Sequence, residues 1–322
     1  MFRYIIKRLF LLIPIMLGLS LIVQLLIDIT PGDPARIIAG STATEEEYQQ
    51  IRTDLKLDDP FFTRYISFIT NITRGDFGRS YANRRSVLED IMVRFPYTLK
   101  LVAMSICLAL IIGIPLGVYA ATHQYTWKDN LAIILSLFSV SMPNFWFALL
   151  IVQLFAVKLR ILPPSGIETW KGWVMPVVSL ALGYTATFAR QIRSDILEVI
   201  RQDYIIMARA KGLSERKVLF RHALKNALIP VIMVAGSIFG ISLGGALVTE
   251  TIFSLPGLGT YVIAGLNGLD YPVIQGTILF LSALFSVVIL LIDIVFAFVD
   301  PRIRSQYIKA KKKKEAIVGE EA

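Results

Sequence analysis

Long uninterrupted apolar segments dominate the hydrophobic pattern of this chain. A bilayer core about 30 Å thick requires roughly 20 apolar helical residues. Six segments come close to this length or exceed it: Leu9–Ile27, Thr98–Ala121, Leu131–Val157, Trp173–Ala189, Ala227–Val248 and Val273–Val299. They are continuous and do not show the alternation of apolar and polar residues typical of a membrane β-barrel. The pattern therefore predicts an all-α, polytopic membrane protein with six transmembrane helices, the fourth of which we expect to continue past Arg190.

The composition supports a membrane protein. Hydrophobic residues make up 55% of the chain and charged residues 18%, whereas soluble domains average roughly 45–50% and about 25%. This excludes a soluble enzyme. The single cysteine, Cys107, cannot form an intrachain disulfide and cannot build a cysteine metal site. His123 and His222 are both expected on the inner side, so no metal site is predicted in an outer vestibule.

The distribution of lysine and arginine predicts the orientation. The segments 1–8, 122–130, 190–226 and 300–322 together hold 20 lysines and arginines, whereas the short segments 158–172 and 249–272 together hold 3. The segment 28–97 is long enough that its charges count little toward orientation. Because basic loops stay in the cytoplasm, both termini are predicted to be cytoplasmic. The tail 300–322, with its run Lys311–Lys314, is interpreted as an anchor to anionic membrane lipid, and nucleic acid is not expected as a partner.

The outer segment 28–97, which follows the first span and N-terminus at 1–27, is predicted to form a small helical cap. Thr44 and Glu47 have the spacing of a capping box, and Ser86 and Glu89 repeat it. Asp59-Pro60 is expected to open a further helix. A packed lid without a partner is an equally good interpretation. The remaining residues 98–299 are predicted to be the transmembrane core.

The inner loop 190–226 is the most informative polar segment. It combines basic residues with apolar residues at helical spacing, and a first helix is predicted to end in the small residues around Gly212. A second helix is expected to start near Ser214. We interpret the loop as a docking element for a cytoplasmic partner, and an interfacial helix resting on lipid is the alternative. The predicted docking residues are Asp203, Tyr204, Ala208, Arg209, Ala210, Lys211, Gly212, Arg221 and His222.

A series of short motifs resembles, in order, the first-type permease subunit of the dipeptide/oligopeptide/nickel family of ABC importers. The matching stretches include Pro31-Gly32-Asp33-Pro34, Gly75-Asp76-Phe77-Gly78-Arg79-Ser80, Pro143-Asn144-Phe145-Trp146, Ala189-Arg190-Gln191-Ile192-Arg193, Ala208 to Gly212, Arg221-His222-Ala223-Leu224, Pro256-Gly257-Leu258-Gly259, Asp270-Tyr271-Pro272 and Asp300-Pro301-Arg302. Ile206 stands where the general permease loop has a glutamate, a departure that the peptide branch of the family shares.

The resemblance implies a type I ABC-importer permease in the inner membrane of a bacterium or archaeon. It implies a related second permease subunit, two ABC ATPase subunits, an extracytoplasmic substrate-binding protein and a peptide substrate. No phosphate-binding loop of the Gly-x-x-x-x-Gly-Lys-[Ser/Thr] type is present in the chain. ATP and Mg²⁺ are therefore expected only on the partner ATPases, and this chain is expected to bind no cofactor and to catalyse no reaction. Chelated nickel or glutathione is the alternative cargo, and a stand-alone secondary transporter or channel is the alternative of another class.

Three further expectations concern the spans. Pro143 should kink the third span, and Asp293 should pair with a basic residue such as Arg190 or Arg193. The candidate pathway residues, for which bonds between helices are an equal explanation, are Ser136, Ser139, Ser141, Asn144, Gln153 and Glu250. A packing surface, either for the second permease or for the chain's own helices, is expected at Gly236, Gly240 and Gly244.

Overall fold

The computed structural model describes residues 2–40 and 43–299, and the predicted basic tail 300–322 lies outside them. The described residues form fourteen α-helices, two of which continue as short π-helices. The helices are α1 Phe2–Ile29, α2 Pro34–Ala39, α3 Glu45–Asp54, α4 Phe61–Thr73, α5 Val87–Thr122, α6 Trp127–Ser141, α7 Asn144–Ile151 continuing to Lys158, α8 Trp170–Val199, α9 Asp203–Ala210, α10 Glu215–Lys217 continuing to Ala223, α11 Leu224–Gly245, α12 Leu247–Ile252, α13 Leu258–Asn267 and α14 Tyr271–Val299.

Five helices of the described chain are long and apolar enough to cross a membrane, and one bent pair makes six if it is counted as a single span. That pair is α6 and α7, which meet at an angle of 97°. The break lies where the sequence predicted a kink, because Pro143 has no N–H to donate and disfavours a helical conformation at Met142. Met142 is accordingly extended. The bend is far sharper than a proline kink, so the third span is broken rather than merely curved.

The core of the bundle lies between α5 and α8. Gly113 and Gly117 let the two helices approach so closely that an added Cβ at Gly117 would meet the carbonyl of Ala189 and the side chain of Ile192. Ile192 and the neighbouring Phe188 are fully buried there. As expected, α8 continues past Arg190, to Val199.

Two of the three predicted packing glycines of α11 contact another helix of the same chain. An added Cβ at Gly236 would meet Ile292 of α14, and one at Gly240 would meet Phe285 of the same helix. Gly244 has nothing within 4 Å. Internal packing therefore accounts for two of the three predicted packing glycines, and only Gly244 leaves a free surface.

The segment 28–97, predicted to be an outer cap, is helical at α2, α3 and α4, with one difference in how its predicted helices begin. The capping box at Thr44 forms: Glu47 N donates to the Thr44 hydroxyl (3.3 Å) and Thr44 N donates to the Glu47 carboxylate (2.8 Å). The predicted box at Ser86 does not form, since no side-chain bond caps α5 there. Ser86 has the extended backbone of an N-cap residue, and it pairs with Arg79 in an isolated antiparallel bridge.

Candidate functional site

The loop between α8 and α11 folds into a helical hairpin, residues 203–223. We call it the cytoplasmic hairpin, after the side of the membrane that the distribution of basic residues predicts for it. It has a small apolar core of its own. Ile205 and Ala208 of α9 form one side, and Val218 and Ala223 of the π-helix that continues α10 form the other. The second helix begins at Glu215 after Ser214, as predicted. Val199, Ile200 and Leu219 pack against both this core and the bundle core, so the hairpin is a small packing unit joined to the end of α8.

Gly212 sets the turn between the two helices of the hairpin. Its φ is +75°, a left-handed conformation that glycine adopts without strain. Its N–H donates to the carbonyl of Arg209 at 2.9 Å, closing the end of α9. Ala208 is buried in the hairpin core, whereas Ala210 is exposed. Of the two predicted small contact residues, only Ala210 therefore faces outward.

The hairpin carries an exposed apolar surface. Ile206 is 55% exposed, Met207 65% and Phe220 53%. The Tyr204 side chain is also exposed, but its hydroxyl accepts a hydrogen bond from Asn226 Nδ2 at 2.7 Å, which ties the hairpin to the start of α11. Such a cluster of large exposed apolar groups is typical of an interaction surface.

The charged groups of the hairpin lie at its surface. Arg209 forms a bidentate ion pair with Glu215, at 2.8 and 3.2 Å. This ion pair bridges the turn at Gly212. Asp203, Lys211 and Arg221 are exposed as well, and His222 is partly buried. The predicted docking residues thus lie on one compact element, with all of them except Ala208 and His222 exposed.

The opposite end of the bundle contains a buried carboxylate that the sequence did not single out for this role. Glu250 of α12 is fully buried. Its carboxylate accepts hydrogen bonds from the Thr98 hydroxyl (2.6 Å) and from the backbone N–H groups of Gly259 (2.8 Å) and Thr260 (3.2 Å). These four residues join α5, α12 and α13. We call them the outer junction, after the side of the membrane that the sequence predicts for this end. Burial raises the pKa of the Glu250 carboxyl above its ordinary value, and the three hydrogen bonds oppose that shift.

Two further carboxylates support the outer end. Asp90 accepts hydrogen bonds from Asn83 Nδ2 at 3.0 Å and from the Tyr261 hydroxyl at 3.3 Å. Asp270 accepts a bond from the Ser80 hydroxyl at 2.6 Å. Ser80 and Asp270 both belong to motifs noted in the sequence, but 190 residues separate them, so their pairing could not be inferred from local spacing.

The structure separates the candidate pathway residues. Ser136 and Ser139 line a cavity of about 500 Å³ between α5, α6 and α8. Ser141 and Gln153 are exposed on the two arms of the broken span, and Asn144 is exposed at the start of α7. Glu250 belongs to the outer junction. These residues therefore do not form one continuous polar path within this chain, and their role in transport stays a prediction.

Arg193, one of the two arginines that the sequence offers as examples of a partner for Asp293, instead binds Asp129 of α6. The pair has two hydrogen bonds, at 2.6 and 2.7 Å. Asp129 is buried. It lies in the first turn of α6, just before the start of the third span as the sequence predicts it. Asp293 lines a different cavity, of about 630 Å³, between α1, α11 and α14.

Known proteins match the chain over nearly its whole length. The sequence-family model for the binding-protein-dependent transport system inner membrane component matches residues 113–305. The family model for the N-terminal part of this component matches residues 1–102. The glutathione transport system permease protein GsiC of Escherichia coli strain K12 is 39% identical over 304 residues, which are 94% of this chain and 99% of the relative. GsiC of Salmonella typhimurium is 38% identical over the same shares.

A solved structure with the same fold comes from the MetNI methionine ABC transporter in an inward facing conformation. It matches with a TM-score of 0.56 at 18% identity, over 66% of this chain and 96% of the other. This match shows a shared fold. The family models and the GsiC relatives establish that this chain belongs to the family of inner membrane permease components of binding-protein-dependent transport systems.

Proposed function

We propose that this permease takes up short peptides by ATP-driven import and receives its energy through the cytoplasmic hairpin. The observation that carries the coupling proposal is the exposed surface of Ile206, Met207 and Phe220 on an element with its own core. A movement applied to such a unit is passed directly into α8, because only a short turn after Val199 separates α8 from the start of α9 at Asp203. The hairpin is therefore the docking site for an ATPase subunit.

The cargo proposal has separate support. The relatives are glutathione permeases, and glutathione is a tripeptide with two free carboxylates and one amine. Short peptides, glutathione among them, are therefore the favoured cargo class. The full importer would contain a second permease related to this chain, two ATPases that bind ATP and Mg²⁺, and an outer substrate-binding protein. Both termini of this chain would lie in the cytoplasm, as the distribution of basic residues predicts.

A single substitution tests the docking proposal. Met207→Glu places a charge on the exposed surface without disturbing the hairpin core, because Met207 points away from Ile205 and Val218. In proteoliposomes that hold the complete importer, we expect this variant to lose peptide uptake and coupled ATP hydrolysis. Met207→Leu is the matched control, since it keeps the size and apolar character of the side chain, and it should transport like the parent. Equal transport by Met207→Glu would show that the ATPase docks elsewhere.

The same proteoliposomes test the cargo. Uptake is compared for a dipeptide, a tripeptide, glutathione and a nickel–histidine chelate at equal concentration. We expect peptides and glutathione to be taken up in an ATP-dependent manner. Transport of the nickel chelate alone would contradict the peptide proposal without affecting the docking proposal. Proton-driven uptake by this chain without its partners would contradict both.

A further inference from the structure

The cavity between α5, α6 and α8 has apolar walls. Its sides are formed by Leu108, Ile112 and Leu116 of α5, by Ile133 of α6 and by Val178 of α8. Its volume of about 500 Å³ is large enough for a segment of a hydrocarbon chain. A groove of this composition is far less suited to a peptide backbone, which needs hydrogen-bond partners when it leaves water.

The hydroxyl groups along the cavity do not change this character. Ser136 donates to the carbonyl of Ala132 (2.8 Å), Ser139 donates to that of Leu135 (2.8 Å) and Thr185 donates to that of Ala181 (2.7 Å). Each hydroxyl proton is thus already used by the backbone of its own helix. The walls offer no free hydroxyl proton at these three positions, and an alkyl chain can lie against them.

One end of the cavity is cationic. Arg190 and Arg193 both line it, and Asp129 neutralises only Arg193, through the two-pronged ion pair. Arg190 is partly buried, and no acidic side chain pairs with it within residues 2–40 and 43–299. A guanidinium in an apolar, membrane-embedded setting needs an anion, because burial of an unpaired charge is strongly unfavourable.

The cationic end carries residues typical of a membrane interface. Tyr125 N donates to the same Asp129 carboxylate that holds Arg193, at 3.1 Å. Tyr125 is 83% exposed and Trp127 is 70% exposed, and such aromatic residues concentrate at membrane interfaces. The outer side of α6 is also apolar and exposed at Ile134 and Phe138, as expected of a helix that faces lipid.

We propose that this cavity is a binding site for an anionic phospholipid, with one acyl chain between α5, α6 and α8 and the phosphate bound by Arg190. Arg190 lies three residues, or about 4.5 Å, before Arg193 along α8. Its long side chain can reach the headgroup level, as arginine near a membrane interface commonly does. The site lies on α8, the helix that leads into the cytoplasmic hairpin, so the bound lipid would tie the broken third span to the helix through which coupling passes.

Native mass spectrometry of the purified full chain tests the site. The protein is freed of lipid and titrated with dioleoylphosphatidylglycerol, with dioleoylphosphatidylcholine and with glycerol phosphate, which has the anionic group but no acyl chain. We expect one phosphatidylglycerol to be retained in preference to phosphatidylcholine, and glycerol phosphate not to be retained. Loss of a charge-assisted hydrogen bond should weaken binding about tenfold in Arg190→Gln.

Matched variants distinguish specific binding at this site from non-specific attraction of anionic lipid to a basic protein. Arg201→Gln removes an exposed arginine just beyond the end of α8, and it should bind lipid like the parent. Arg190→Lys keeps the charge and should bind better than Arg190→Gln. Ala132→Phe fills the cavity from α6 and should prevent retention even though Arg190 is intact. Equal retention of both lipids, or an equal loss in Arg190→Gln and Arg201→Gln, would overturn the proposal.

A competing occupant is a peptide in transit, since a free carboxylate could also pair with Arg190. Phosphatidylglycerol with a photoactivatable group on its acyl chain is expected to label α5 and α6 around Ile112 and Ile133. An excess of dipeptide should leave this labelling unchanged. Displacement of the lipid by dipeptide would overturn the lipid site and assign the cavity to the peptide pathway, while leaving the proposal of peptide import intact.

Discussion

The outer junction and the cytoplasmic hairpin join neighbouring helices by different means. At the outer junction one fully buried carboxylate, Glu250, accepts bonds from a hydroxyl and two backbone N–H groups on two other helices. In the cytoplasmic hairpin four small or medium apolar residues form the core, and the ion pair of Arg209 and Glu215 is exposed to solvent. The outer junction is held by specific hydrogen bonds, whereas the hairpin is held by the burial of a small apolar surface.

This difference indicates which end is rigid. A buried polar group strongly favours the one arrangement in which all its hydrogen bonds form, because each missing bond is costly. A unit with a small core and few ties to its surroundings can move or open with little change elsewhere. The outer end is therefore suited to hold the helices in a fixed arrangement, and the hairpin is suited to move as a unit.

The largest effect is expected from removing the buried carboxylate. Glu250→Ala leaves the Thr98 hydroxyl and the N–H groups of Gly259 and Thr260 buried without their acceptor, and each such loss costs about 1–3 kcal/mol. For three such losses we expect destabilisation of about 3–9 kcal/mol, measured by thermal or denaturant unfolding in detergent. Glu250→Gln keeps an acceptor oxygen and should lose less. Unchanged stability of Glu250→Ala would show that the junction does not fix the outer end.

A core substitution in the hairpin should have a smaller and local effect. Ile205 is fully buried and the adjacent Ile206 is 55% exposed, which makes them a matched pair. Ile205→Ala is expected to cost about 2–5 kcal/mol in the hairpin itself. Hydrogen exchange should become faster across residues 203–223 and remain unchanged around Glu250, and Ile206→Ala should alter neither region. Faster exchange at both ends would contradict the independence of the hairpin.

The stability that the outer junction contributes should depend on pH. Burial raises the pKa of Glu250 in the folded state, so the folded protein binds this proton more tightly than the unfolded chain. Its contribution to stability is therefore greatest at low pH, and it declines as the pH rises from the ordinary glutamate pKa through the raised value of the folded state. Each tenfold difference in proton affinity between the folded and unfolded chains corresponds to about 1.4 kcal/mol.

Unfolding temperatures between about pH 5 and pH 7.5 measure this response. The parent is expected to lose stability toward neutral pH relative to Glu250→Gln, which cannot titrate at this position. Other carboxylates, such as Asp33 in the cap with its lowered pKa, respond in the opposite direction but are common to both proteins. A constant difference between the two proteins over this range would contradict the shifted pKa of Glu250.

Features that depend on neighbouring residues could be predicted from the sequence, and those that depend on distant pairs could not. The spans follow from continuous apolar segments, and the Thr44 capping box follows from a spacing of three residues. The partner of Glu250, Thr98, is 152 residues away, and the partner of Arg193, Asp129, is 64 residues away. No local pattern distinguishes Asp129 from Asp293 as the partner of Arg193, because the choice depends on how α6 packs against α8.

In the cytoplasmic hairpin, too, local features can be predicted from the sequence and features set by packing cannot. The hairpin was recognisable because its helices, its turn at Gly212 and its apolar spacing all lie within one short segment. That Ala208 faces inward and Ala210 outward was not apparent, since it depends on which side of α9 meets Val218. The break at Pro143 was expected, but its angle of 97° depends on packing that the sequence alone does not specify.

The smallest effect is expected at the surface ion pair of the hairpin. Arg209 and Glu215 are both exposed, and exposed pairs contribute about 0.2–1 kcal/mol because water and salt screen them. A double-mutant cycle with Arg209→Gln and Glu215→Gln, read by hydrogen exchange across the turn at Gly212, should give a coupling energy in this range that declines at high salt. A coupling energy above about 2 kcal/mol would contradict the comparison, since the hairpin would then depend, like the outer junction, on one specific polar contact.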